Sequence, residues 1–254
     1  MKAIFLGTGT SQGVPVIGCD CAVCRSDDPR DQRLRTSFYV QCSGKHLVID
    51  AGPDFRQQVL RARIPTLDAL LLTHQHQDHV AGLDDVRPFN YLQDKPTQIY
   101  ATPPVIARLR TAFAYAFEAD PYPGAPRLEV HPIDEQPFVA AGLDVTPVPV
   151  MHGQMPVMGF RLGDLSYVTD VSAISAASMK KLEGSRVLVL SALRRHPHHS
   201  HFSLEQALAV IAKLSPEQAF LTHISHQMGL HAEVNRELPP NVRLAYDGLT
   251  IDKI

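Results

Sequence analysis

Short apolar runs recur at Ala3 to Leu6, Phe38 to Val40, Leu47 to Ile49, Ala69 to Leu72, Val145 to Val150, Tyr167 to Thr169, Val187 to Leu190 and Phe220 to Thr222, bounded by Gly, Pro, Asp or His. Runs this short and this rich in Val, Ile and Leu predict strands of a buried sheet. Between them the spacing turns helical. Leu204, Leu208 and Ile211 line one face of Ser203 to Leu214, where Ser203 and Gln206 form a capping box, and Pro103 to Ala119 reads as a second helix with Pro near its start. Alternating strands and helices predict an α/β fold whose sheets are covered by helices. Segment 120–137, with Pro121, Pro123, Pro126, Pro132 and Pro137, reads either as a linker or as a surface connection. Candidate ligands lie on both sides of it and must meet, which favours one domain over residues 1–254.

The bulk composition adds little except through histidine. With 254 residues, 44% hydrophobic and 20% charged, the chain can bury a core, and Lys+Arg 24 against Asp+Glu 26 leaves a formal charge of −2. There is no basic run to track a phosphate backbone, so a nucleic-acid partner is disfavoured. No apolar run approaches membrane-spanning length, and Met1 to Gly7 is too short for a signal segment, so a cytoplasmic protein with reduced Cys19, Cys21, Cys24 and Cys42 is expected. The chain has 13 His, and nearly all gather at 74–79, 152, 196–201 and 223–231.

The densest cluster, Thr73-His74-Gln75-His76-Gln77-Asp78-His79, directly follows the run Ala69 to Leu72. Imidazole and carboxylate suit zinc, manganese or iron, and a strand ending in a polar cluster is where α/β folds place chemistry. A pair of ions needs about seven ligands plus solvent. The remainder come from His152, Asp170 and His223, each following its own strand. Cys19, Cys21 and Cys24 are too close to pair with one another but suited to grip one soft ion, so a structural zinc is expected. Spacing nominates Cys42 or any His as the fourth ligand and does not choose. Gly7-Thr8-Gly9 and Gly13 do not have the spacing of a dinucleotide turn. They read either as a loop bringing backbone to the metals or substrate, or as a structural turn. His196, His198 and His199 read as a solvated loop.

Taken together, T-H-Q-H-Q-D-H, His152, Asp170 and His223 resemble the metallo-β-lactamase superfamily of metallohydrolases. The resemblance implies a four-layer αββα sandwich in which His74, His76 and His152 hold one ion, Asp78, His79 and His223 hold the other, and Asp170 bridges them. Asp rather than Cys at the bridge resembles the phosphodiesterase and general hydrolase branches and permits Mn2+ as well as Zn2+. Asp50 matches a position that supports the ligand loop. G-T-G-T-S-Q-G-V-P, Thr222 to Gln227 and Tyr246-Asp247-Gly248 are similar to the PhnP-type phosphodiesterases of phosphonate breakdown. That likeness implies that His226 completes the cysteine zinc site and leaves Cys42 a packed spare thiol. It also implies that His201 is the general acid, although Ser200-His201-Phe202 departs from the Asn-His-Cys form associated with the family. The implied substrate is a small phosphodiester such as phosphoribosyl 1,2-cyclic phosphate or a 2′,3′-cyclic nucleotide, and the implied assembly a homodimer. Rival readings are a tRNA 3′-processing endonuclease, for which no basic glycine-rich arm is visible, a thioester or lactone hydrolase, and a metal-binding scaffold that has lost catalysis, although none of the seven ligands is missing.

Overall fold

The computed structural model describes residues 1–252 and 254. Strands β1 (Lys2–Gly7), β2 (Ser37–Cys42), β3 (Lys45–Ile49), β4 (Ala69–Leu71), β5 (Thr97–Ala101) and β6 (Leu128–Pro132) form one sheet. Strands β7 (Phe138–Ala140), β8 (Leu143–His152), β9 (Met155–Leu162), β10 (Leu165–Val168), β11 (Val187–Ser191), β12 (Gln218–Thr222) and β13 (Val242–Leu244) form a second. The chain then returns as β14 (Thr250–Asp252), antiparallel to β1 at the edge of the first sheet. Strands β3 to β6 run parallel to one another, as do β10 to β13, so their C-terminal ends lie on common edges.

Neighbouring residues of each strand bury opposite faces, which is why the strands read as continuous apolar runs. Phe5, Ile49 and Leu71 join Phe160, Tyr167 and Val189 between the sheets. Leu6, Val48 and Leu70 face the other way and pack with Phe55 of helix α1 (Phe55–Ala62). A short helix α2 (Gln77–Val80) and α3 (Arg87–Gln93) follow, and α4 (Pro103–Ala112) supplies Val105 and Leu109 to that outer layer. The second sheet is covered by α5 (Ala176–Leu182) and α6 (Leu204–Leu214), with Val148, Leu188 and Leu221 against Leu182, Ala207 and Ile211. The order helix, sheet, sheet, helix is the expected αββα sandwich.

Two details differ from the sequence expectation. The helix begun at Pro103 stops at Ala112, because Phe113 leaves helical geometry at φ −122° and a 3₁₀ turn covers Ala114–Ala116. The proline-rich segment is not merely a surface connection, since Leu128–Pro132 within it pairs in parallel with β5 as the edge of the first sheet. The capping box on α6 is present, with Ser203 accepting from the Gln206 backbone.

A polar strap joins the N-terminal loop to α7 (His231–Glu237). The buried Arg33 donates to Thr8 Oγ1, to the Ala245 carbonyl and, at 3.2 Å, to His231 Nδ1. His231 is therefore an acceptor and neutral, and burial together with the Arg33 charge lowers its pKa to about 4. The unfolded chain takes up this proton near pH 6.5. Its contribution to stability is thus complete above about pH 6.5 and disappears as pH falls towards about 4. Across that window the urea midpoint of the wild type should fall more steeply than that of His231→Gln; parallel profiles would remove His231 from the acid response.

Candidate metal centre

The site lies where β4, β8, β10 and β12 release the chain at one edge of the sandwich. β4 ends at Leu71, and after Leu72 and Thr73 come His74 and His76, with Asp78 and His79 on α2. His152 is the last residue of β8, Asp170 lies just beyond β10, and His223 directly follows β12. Asp50, Asp170 and His223 all take the left-handed backbone, at φ 64°, 53° and 55°. That conformation costs about 1–3 kcal/mol for a non-glycine residue and concentrates at functional sites. Gly52 permits the close approach that seats α2, because a Cβ there would run into the Asp78 carbonyl oxygen.

His74, His76, His152 and Asp170 bring one donor atom each to within 4.8 Å of one another, and so do Asp78, His79, Asp170 and His223. Asp170 belongs to both groups and divides its oxygens between them. Oδ1 lies 3.1 Å from His223 Nε2 and 3.5 Å from His79 Nε2, while Oδ2 lies 3.9 Å from His74 Nε2. Asp78 Oδ2 closes the second group at 3.2 Å from His79 Nε2 and 3.6 Å from His223 Nε2. Two donors on one ion with bonds of about 2.0–2.2 Å in tetrahedral geometry stand about 3.4 Å apart, close to these separations.

The ring orientations also fit ligands. His79 Nδ1 bonds Asp50 at 2.7 Å and His152 Nδ1 bonds the Ser200 carbonyl at 2.6 Å, so both Nδ1 atoms donate and the lone pairs are left on Nε2. The Nε2 atoms of His74, His79 and His223 are buried without a hydrogen-bond partner, an arrangement that is costly for a polar group unless something else binds it. Burial alone would raise the Asp78 and Asp170 pKa values, but His79 and His223 outweigh it and hold both carboxyls below the usual range, so they are ionised. Burial, reinforced by His79, keeps His74 neutral. Burial opposes a proton on His79, yet Asp170, Asp50 and Asp78 raise its pKa well above the ordinary value, so the field here draws positive charge. Asp50 is fully buried, accepts from the Thr73 backbone and hydroxyl, and supports His79 rather than facing the cluster.

His201 stands over the centre, its ring 4.4 Å from His152 and 4.9 Å from His223 between centroids. Burial, with His223 adding to it, pushes its pKa down to about 3. Of the solvated histidines, His198 is half-buried; its ring lies 5.3 Å from His201 and its Nδ1 is bonded by Ser200. Ser200 is a residue the sequence reading passed over, because its contribution is a backbone carbonyl that no side chain announces.

A third cluster is distinct. His226 Nδ1 lies 3.2, 3.4 and 3.5 Å from the sulfurs of Cys19, Cys21 and Cys24. Zinc–sulfur and zinc–nitrogen bonds of about 2.3 and 2.0 Å at a tetrahedral angle separate the donors by about 3.5 Å. The Cys24 N–H and His226 draw the Cys21 thiol down to about 6, while burial lifts Cys24 to about 11. Cys42 is half-buried beside the β2–β3 turn rather than packed, because the turn at Ser43 and Gly44 leaves it at the strand's open end. Cys24→Ser should release one equivalent of zinc and leave the remaining metal content unchanged on elemental analysis; an unaltered total would rule out a cysteine-held ion. The Gly7-Thr8-Gly9 loop is structural: Ile224 donates to the Thr8 carbonyl, Thr10 donates to the Ile224 carbonyl, and Asp247 holds Thr8, so the loop clamps the segment after His223.

The model of the β-lactamase superfamily domain matches residues 45–224. The chain belongs to this superfamily. Within it, a solved diphosphatase of the PhnP family is 42% identical, with a TM-score of 0.92 over 99% of this chain and 97% of that one, and places the chain in the PhnP branch. Zn2+-bound PqqB from Methylobacterium extorquens shares the fold at a TM-score of 0.78 and 22% identity, over 100% of both chains. A curated octanoyltransferase of Porphyromonas gingivalis is 43% identical over 98% of this chain but 51% of its own length. The chain thus spans about half the length of that relative. Its fold is the metallo-β-lactamase fold. Among the described residues no helix is long and apolar enough to cross a membrane.

Proposed function

We propose that the protein is a metal-dependent phosphodiesterase acting on a small cyclic or nucleotide-like phosphodiester, with His74, His76, Asp78, His79, His152, Asp170 and His223 holding two divalent ions, Mn2+ or Zn2+. The observation that carries this reading is Asp170, whose two oxygens face two separate sets of donors. Such ions, when bound, neutralise phosphoryl oxygens and supply a water of lowered pKa. The chain's own residues do the rest. Asp50 and the Ser200 carbonyl lock the rings of His79 and His152, so the donor atoms stay aimed without reorganisation. His201 is neutral at pH 7, so in place of a full general acid it donates one N–H hydrogen bond to the departing alkoxide as the phosphorus–oxygen bond breaks, and the alkoxide takes its proton from water. The Cys19, Cys21, Cys24 and His226 cluster would hold a structural Zn2+ that ties the N-terminal loop to the segment after His223.

Hydrolysis of bis-p-nitrophenyl phosphate, 2′,3′-cyclic nucleotides and phosphoribosyl 1,2-cyclic phosphate, with metal content measured on the same sample, tests the proposal. Turnover of at least one, abolished by chelation, is expected. Turnover of none, with cleavage of precursor tRNA or of an octanoyl thioester instead, would replace it. A place in phosphonate breakdown and a homodimer are part of the same proposal, supported by the PhnP likeness, and a cytoplasmic site is proposed with them.

A further inference from the structure

We propose that a proline-walled groove leading away from the metal centre receives an uncharged apolar arm of the substrate; this rests on the reading of the centre as a phosphodiesterase and narrows its substrate class. A cavity of about 340 Å³ is lined by Gln75, Pro104, Ile133, Pro149, Met155 and Met158 among others. A second hollow of about 310 Å³ shares Pro103, Ile133 and Asp134 with it and continues to Phe138. The first falls in the size range of small-molecule sites, about 300–1,000 Å³.

Its position joins it to the chemistry. Gln75 lies between His74 and His76, and Met155 is the cross-strand partner of His152 at the end of the β8–β9 hairpin. Gln75 Nε2 reaches the Met155 sulfur at 3.2 Å, so the head of the groove is built by neighbours of three of the candidate ligands. Its walls offer little to a polar group. Proline has no N–H and a fixed φ, so the Pro103, Pro104, Pro149 and Pro156 surfaces are rigid and lack donors. Among the described residues no Lys or Arg lines either hollow, and the nearby Lys181 ammonium is committed to the Glu135 and Pro147 carbonyls. The Asp134 and Glu135 side chains bring only negative charge to the rim. A second phosphate would find no cation there and, among side chains, only the Gln75 amide and the Thr102 hydroxyl as donors, whereas an alkyl or acyl chain would exchange water for Met, Ile and Pro surface.

Titration calorimetry of the metal-loaded protein with methyl-, butyl- and octylphosphonate tests this without requiring turnover. Each methylene that enters the groove should tighten binding about fourfold, from about 0.8 kcal/mol per buried CH2, so octylphosphonate should bind at least about 100-fold more tightly than methylphosphonate. Pro104→Glu, in the first turn of α4 where an acidic residue suits the helix, should flatten this dependence, and so should Met155→Glu. Equal affinities across the three ligands, no binding of octylphosphonate, or a dependence that both variants leave intact would overturn the proposal. If no phosphodiester is hydrolysed but the chain-length dependence persists, the groove stands and the phosphodiesterase reading falls.

Discussion

Asp170→Asn should lower kcat/KM by at least about 10³-fold on every substrate of the site and reduce the metal content of the His and Asp clusters from two equivalents to one or fewer. Asn is nearly isosteric with Asp, so the change leaves shape and packing in place while removing the negative charge and one of the two oxygens. Those oxygens face different partners, Oδ1 the His79 and His223 rings and Oδ2 the His74 ring. Metal catalysis of this kind contributes several kcal/mol of transition-state stabilisation, and each 1.36 kcal/mol is tenfold in rate. The loss is therefore expected in kcat as well as in metal affinity, and excess Mn2+ or Zn2+ should restore only part of it. An Asp170→Asn protein retaining two equivalents of metal and a rate within about tenfold of wild type would show that the carboxylate does not bridge.

His201→Ala should cost about 10²–10³-fold on an alkyl or cyclic ester and far less on a p-nitrophenyl ester. The contrast follows from its position beside His152 and His223 with no metal-facing assignment of its own. A poor leaving group needs a hydrogen-bond donor on its developing charge as its bond to phosphorus breaks, whereas p-nitrophenolate departs unaided. Metal content should be unchanged, which separates this effect from loss of a ligand. Equal losses on both esters would assign His201 to binding or to support of the centre rather than to the leaving group.

The metal-centre residues were legible because their placement follows two simple patterns. Double-sided apolar runs such as Ala69 to Leu72 marked strands buried on both faces, and polar residues directly after them marked the edge where chemistry collects. What escaped was carried by weaker signals. β9 contains Pro156, Gly159 and Arg161, which interrupt its alternation, although it pairs along its length with β8. β13 and β14 are three residues each and are held by pairing with β12 and β1 rather than by any pattern of their own. The fourth member of the cysteine cluster lies more than 200 positions away in sequence, so its spacing held no information, and only the family likeness pointed to His226. The Ser200 carbonyl and the proline-walled groove are products of the packed backbone, invisible to side-chain motifs.

The central claim, that side chains from four separate stretches of the chain enclose two ions around one shared carboxylate, is tested most directly by anomalous diffraction from crystals of the Mn2+-loaded protein, recorded at the manganese edge. The account predicts two strong peaks flanking the Asp170 carboxylate, one among His74, His76 and His152 and the other among Asp78, His79 and His223. A single peak, or peaks out of coordinating reach of Asp170, would contradict it.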